Sequence, residues 1–130
     1  MLDNLAPETC KRVWQILPVT GHLPHAIYSG DEVAMVLPQY YPLEQENSQT
    51  VVLPWEIFYL SLRAVDHYDV DHDFSEIGFF YDRNPGPRML EGQVRVNVFA
   101  QFVTGQDALF RLCMCMRRGE GRQYFTVRQA

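Results

Sequence analysis

Residues 50–68 read TVVLPWEIFYLSLRAVDHY, and the placement of the core turns on them. Pro54 suits the first turn of a helix, and Glu56 stands where a helix N-terminus favours negative charge. Ile57, Phe58, Leu60, Leu62, Ala64 and Val65 would cover most of a helix's circumference. A helix apolar nearly all round is a buried one, so the stretch predicts a long central helix.

Outward from it, DHYDVDHD (66–73) has no apolar period and four carboxylates beside two imidazoles. A metal site would draw on His67 and His72 with Asp66, Asp69, Asp71 and Asp73. The alternating aspartates nevertheless lack the glycine of a calcium loop, and no glutamate stands where that loop needs its last ligand. The stretch reads as a solvated loop, with no metal assigned. SEIGFFYDR (75–83) reads as a strand and NPGP (84–87) as a loop. In QVRVNVFAQFV (93–103), Val94, Val96, Val98, Ala100 and Phe102 alternate with Arg95, Asn97 and Gln101, the pattern of a half-buried strand. TGQD then reads as a turn, ALFRLCMCMRR as a second strand, GEG as a turn and RQYFTVRQA as a third strand, an antiparallel meander. Upstream, PETCKRVWQIL (7–17) predicts a short amphipathic helix, the Gly- and Pro-rich segment 18–31 a loop, and EVAMVLPQYY (32–41) a strand bent or set on an edge by Pro38.

The 130 residues fit a single domain, 1–130, with 47% hydrophobic content to build a core. Eleven Lys and Arg against sixteen Asp and Glu give a net charge of −5, which repels phosphate backbones and anionic lipid. Nucleic acid and membrane are therefore not expected partners. Cys10, Cys113 and Cys115 are odd in number and poorly spaced for a disulfide framework, so a reducing, cytoplasmic setting is expected. Cys113 and Cys115 read as core thiols, and no cofactor motif is present.

VLPWEIFYLSLRAV resembles the central-helix entry of hotdog-fold acyl-thioester enzymes, the thioesterases and 3-hydroxyacyl carrier-protein dehydratases. QVRVNVFAQFVTGQDALFRLCMCMRR is similar to their pair of strands joined by a Pro-Gly-Asp-type turn, and GHLPH (21–25) to the dehydratases' Gly-His-Phe-Pro. The resemblance covers about residues 31–128 and implies an α+β, hotdog-like antiparallel sheet wrapped around one long buried helix, with a short N-terminal helix. It also implies a homodimer that binds an acyl-CoA or acyl-carrier-protein thioester at its interface, for hydrolysis or dehydration. The dehydratase histidine lies just before the central helix, whereas His22 lies about 32 residues before Pro54, and Leu60, Ser61 and Leu62 stand where an acidic residue is expected.

Glu56, at the helix entry, is the candidate general base toward a thioester, or else a surface glutamate complementing the helix dipole. His22 and His25 are candidate acid–base groups, or ordinary loop histidines. Tyr40, Trp55 and Tyr59 are candidates for an acyl pocket or plain core, and Arg117 and Arg118 for a carrier's phosphate or plain surface. A second class of function follows from size, charge and the lack of an intact catalytic motif: a small acidic interaction protein, such as an immunity protein, antitoxin or phage inhibitor, that binds a basic protein partner.

Overall fold

A computed structural model describes all 130 residues. In chain order the elements are α1 (Pro7–Ile16), β1 (Val19–His22), β2 (Glu32–Val36), β3 (Ser48–Gln49), β4 (Glu56–Leu62), a 3-10 turn (Ala64–Asp66), β5 (Phe74–Phe80), β6 (Arg88–Met89), β7 (Gly92–Gln93), β8 (Val96–Gln101), α2 (Gln106–Arg117) and β9 (Tyr124–Val127). The class is α+β. Five antiparallel strands form one sheet in the order β2-β5-β4-β8-β3, while β1 pairs with β9 and β6 with β7. The backbone beyond β1 continues onto the edge of the main sheet, where Ala26 N–H donates to Glu32 C=O and Ala34 N–H to Pro24 C=O.

The segment expected to be the long central helix is strand β4, at the middle of the sheet. The hotdog arrangement inferred from it therefore lacks its helix, and the two helices present have 10 and 12 residues. The physical reason lies in burial on both sides. Phe58, Leu60 and Leu62 pack into a cluster with Val52, Phe80, Val96 and Val98 on one face, while Tyr59 joins Val33, Ile77, Phe79 and the helices on the other. A strand buried on both faces has the near-continuous apolar run that also describes a buried helix.

The opposite exchange occurs at 106–117, expected to be a strand and found to be α2. Gly105, at φ +89°, sets the left-handed turn from which the helix starts, and Cys113 and Met116 form its buried stripe. Cys113 is fully buried and its burial pushes the thiol up to about 12, whereas Cys115 is only partly covered. The meander expected over the last 40 residues is thus interrupted by a helix. The N-terminal helix and the strands at 32–36, 96–101 and 124–127 fall within the expected stretches, and the strand at 74–80 overlaps the one expected at 75–83.

In β8 the expected single apolar face is split by a bulge opposite Ile57 and Phe58. Val96 and Val98 pack on one face of the sheet, Phe99 and Ala100 on the other. Gly78 on β5 has its own steric reason: a Cβ there would lie 2.4 Å from the Phe58 ring and 2.8 Å from the Ala34 Cβ. The missing side chain lets the Phe58 ring lie across β5.

One charge is buried without full compensation. Glu32 is 5% exposed, and one of its carboxylate oxygens, Oε2, has no hydrogen-bond partner. Burial, and then the charge of Glu76, push its carboxyl up to about 8; burial pushes Glu76 up to about 7. Unfolding returns each group to its ordinary value near 4.5, where it gives up a proton that the folded chain retains. Stability from this pair is therefore fully present below about pH 4.5 and declines as pH rises toward 8. Glu32→Gln, which is neutral at every pH, should raise the melting temperature at about pH 8 and make its fall between about pH 5 and 8 shallower than in the wild type; thermal melts across that range read it directly.

Candidate functional site

The main sheet presents three polar side chains on the face that carries α1. Ser75 of β5, Ser61 of β4 and Asn97 of β8 stand among the apolar residues of that face, and Ser61 lies opposite Ser75 in register. Each holds the backbone of one crossing segment, residues 41–46. The Ser75 hydroxyl accepts from Tyr41 N–H (3.0 Å) and donates to Tyr41 C=O (3.1 Å), and the buried Tyr59 hydroxyl donates to the same carbonyl (2.7 Å). Ser61 does likewise for Leu43, accepting at 3.3 Å and donating at 3.4 Å. The Asn97 amide donates to Glu44 C=O (2.9 Å) and accepts from Glu46 N–H (3.0 Å). Residues 41–46 are thus a strap laid across three strands.

The strap ends on α1. That helix starts from Ala6, which has no side-chain cap of its own. The Glu46 carboxylate supplies one from 37 residues away, accepting from Thr9 N–H (2.8 Å), the Thr9 hydroxyl (2.9 Å) and Glu8 N–H (3.1 Å). Burial pushes the Glu46 carboxyl up, but these donors outweigh it and hold it below the usual carboxylate range. Asn97 closes the knot with an N–H to Thr9 Oγ1 at 3.1 Å.

Beside the strap lies a groove of about 1010 Å³. The strap forms one side. Tyr59, Ser61 and Asn97 form the floor, and Arg63, Asp66, His67, Gln93 and Arg95 the far wall. The imidazole of His67 is in hydrogen-bonding contact with Glu91, so Asp66 and His67 of DHYDVDHD belong to the groove while Asp69, Asp71, His72 and Asp73 stay exposed.

Of the candidates from the sequence, Tyr40 and Tyr59 meet in this groove. His25 and Arg117 meet elsewhere, in a network around Tyr81. His25 Nε2 lies 2.7 Å from the Tyr81 hydroxyl, Arg117 reaches the same hydroxyl and pairs with Asp31, and Asn84 donates its side-chain amide to Asp31 at 2.9 Å. Burial, then the charge of Asp31, push the Tyr81 phenol up and keep it neutral. Asp31 is 1% exposed and its oxygens are occupied, so the network clasps α2 to β2 and β5.

The others are apart. Glu56 begins a strand, not a helix, and its carboxylate accepts from Leu53 N–H at 2.8 Å within the preceding turn. Trp55, at φ +72°, stacks near Phe79 and Phe102. His22 is exposed on β1 against Tyr124, and Arg118 pairs with Glu120 at the end of α2. Sequence reasoning missed Thr9, Glu46, Ser61, Ser75, Asn97 and Glu91. The signal available for Ser61 and Asn97 was a small polar residue between apolar neighbours; Ser75, between Phe74 and Glu76, carried no such signal.

A family model for proteins of unknown function, DUF3830, matches residues 1–127. The chain belongs to the DUF3830 family. No curated protein matches the chain.

In this DUF3830 protein, Asn97→Ala should cost about 2–4 kcal/mol, since it removes three hydrogen bonds and leaves Glu44 C=O and Glu46 N–H without partners. Urea titration gives the stability loss, and faster amide exchange at Glu46, Glu8 and Thr9 would show that strap and helix cap loosen together.

Proposed function

We propose that this protein is a small acidic binding protein whose groove takes an extended basic segment of a partner protein. The observation that carries this reading is the balance of charge around the groove. Glu8, Glu44, Glu46 and Asp66 line it against Arg63 and Arg95. Asp66 partly neutralises Arg63 at 3.9 Å, and Glu46 is engaged by the helix, but Glu44 is in no ion pair. With a net charge of −5 on the whole chain, the local and long-range fields both favour a cationic ligand. The strap supplies a second support, because the same sheet face already holds one extended backbone through side-chain hydrogen bonds.

The acyl-thioester reading put a carboxylate at the entry of a buried helix. Glu56 does not hold that position, and a pantetheine phosphate would meet more carboxylates than guanidinium groups in this groove.

Fluorescence anisotropy with an extended lysine-rich peptide and a glutamate-rich counterpart tests the proposal. The lysine-rich peptide should bind, more weakly as salt is added, and Glu44→Lys with Asp66→Lys should weaken it by about tenfold or more. Indifference of the charge-reversed variant would sink the groove as the site. Stabilisation by acyl-CoA thioesters, with no peptide binding, would favour the acyl-thioester reading instead.

A further inference from the structure

The far wall of the groove contains a paired imidazole that binding alone does not require. His67 lines the groove with its side chain only 16% exposed, and its Nδ1 contacts the Glu91 carboxylate. A carboxylate can only accept, so Nδ1 carries the hydrogen and donates it. In the neutral ring Nε2 then holds the lone pair, and it makes no hydrogen bond within the chain. Glu91 comes from the turn between β6 and β7, 24 residues along the chain, so the ring is oriented from a second segment.

We propose that His67 and Glu91 form a proton-transfer pair that hydrolyses a carboxylic ester in a cationic, peptide-like ligand held in the groove, a step that rests on the groove reading above. Water is the co-reactant. Nε2 of His67 takes a proton from water as the water oxygen bonds to the ester carbonyl carbon and the carbonyl π pair moves to its oxygen. Arg63 and Arg95 line the same groove and are the cations available to that oxyanion, Arg63 already sharing its charge with Asp66 at 3.9 Å. As the carbonyl re-forms, the C–O bond to the leaving group breaks, and the departing alkoxide takes the proton back from Nε2. The products are a carboxylic acid and an alcohol, and the pair returns to its starting state. Glu91 is a positioning residue: it holds the tautomer and balances the imidazolium that forms. In keeping with that role its carboxyl is held below the usual range, chiefly by its own backbone N–H and further by His67.

The test uses the full chain with the p-nitrophenyl ester of an Nα-acylated lysine, and the corresponding glutamate ester as control. Saturable turnover of the lysine ester is expected. His67→Gln should lower kcat by about 100-fold or more with KM little changed. Glu91→Gln should also lower kcat at constant KM, with partial recovery in Glu91→Asp. His72→Gln, an exposed imidazole outside the groove, should leave the rate unchanged. Competition between the lysine ester and the lysine-rich peptide without turnover would overturn the pair and leave the groove reading standing. Neither binding nor turnover would remove both, and a wild-type rate in His67→Gln would overturn the pair.

Discussion

The side-chain amide of Asn97 is where three parts of the chain are joined. One of its ends receives Glu46 N–H; the other gives hydrogens to Glu44 C=O and to the hydroxyl of Thr9. Neither an aspartate nor a leucine can do this, because only a primary amide offers two donors and an acceptor on one planar group. The cost of burying that amide is offset only while all its partners are present. Its satisfaction in turn fixes Glu46 at the amino end of α1, where the carboxylate meets three hydrogen-bond donors and the positive end of the helix dipole. A helix that lacks a cap of its own is thus held to the sheet by a carboxylate far away in sequence.

Two-sided burial of β4 and β5 is the second constraint, and it explains both the density of aromatics and the exceptions to it. Phe58 and Phe80 on one face, Tyr59 and Phe79 on the other, leave little space between strands, and Gly78 is the position that yields it. The same face carries Glu32 and Glu76 away from water, so that protonation replaces an ion pair as the way to keep them there. Asp31, one residue before β2, follows the other course: it is met by Arg117 and Asn84. Adjacent residues of the chain thereby solve carboxylate burial in two different ways.

What was legible in the sequence follows from these constraints. The short helix at 7–16 could be read from its amphipathic stripe and Pro7, and the strands at 32–36 and 96–101 from β-branched runs. Strand β4 could not be told from a helix, because apolar residues on both faces erase the period of two that would have marked it. Helix α2 failed in the other direction. Leu109, Cys113 and Met116 have helical spacing, but Met114 and Cys115 beside them make the run continuous and hide the stripe. Tyr40 and Tyr59, grouped with Trp55 as candidate pocket residues, share the groove without Trp55, and His25 meets Arg117 although the sequence offered no reason to join those two. The remaining groove residues come from separate segments and were beyond local pattern: the link between His67 and Glu91 spans 24 residues, and that between Thr9 and Glu46 spans 37.

The path of the strap also decides where a ligand can lie. Neighbouring strands stand about 4.8 Å apart, and two extended residues reach about 6.6–7 Å, so a backbone crossing the sheet on a diagonal meets a new strand at every second residue. The strap keeps close to that spacing, with Tyr41 on β5, Leu43 on β4, and Glu44 and Glu46 together on β8. A segment held at each step cannot shift sideways without giving up paired hydrogen bonds, so this side of the groove is rigid. The far wall depends instead on segments 63–67 and 93–95, tied at His67 by its contact with Glu91 from the β6–β7 turn. Val94 N–H to Pro87 C=O and Asp66 N–H to Arg63 C=O hold that wall as well, so the two sides of the groove are fixed by separate parts of the chain, one through polar side chains of the sheet and the other through local turns.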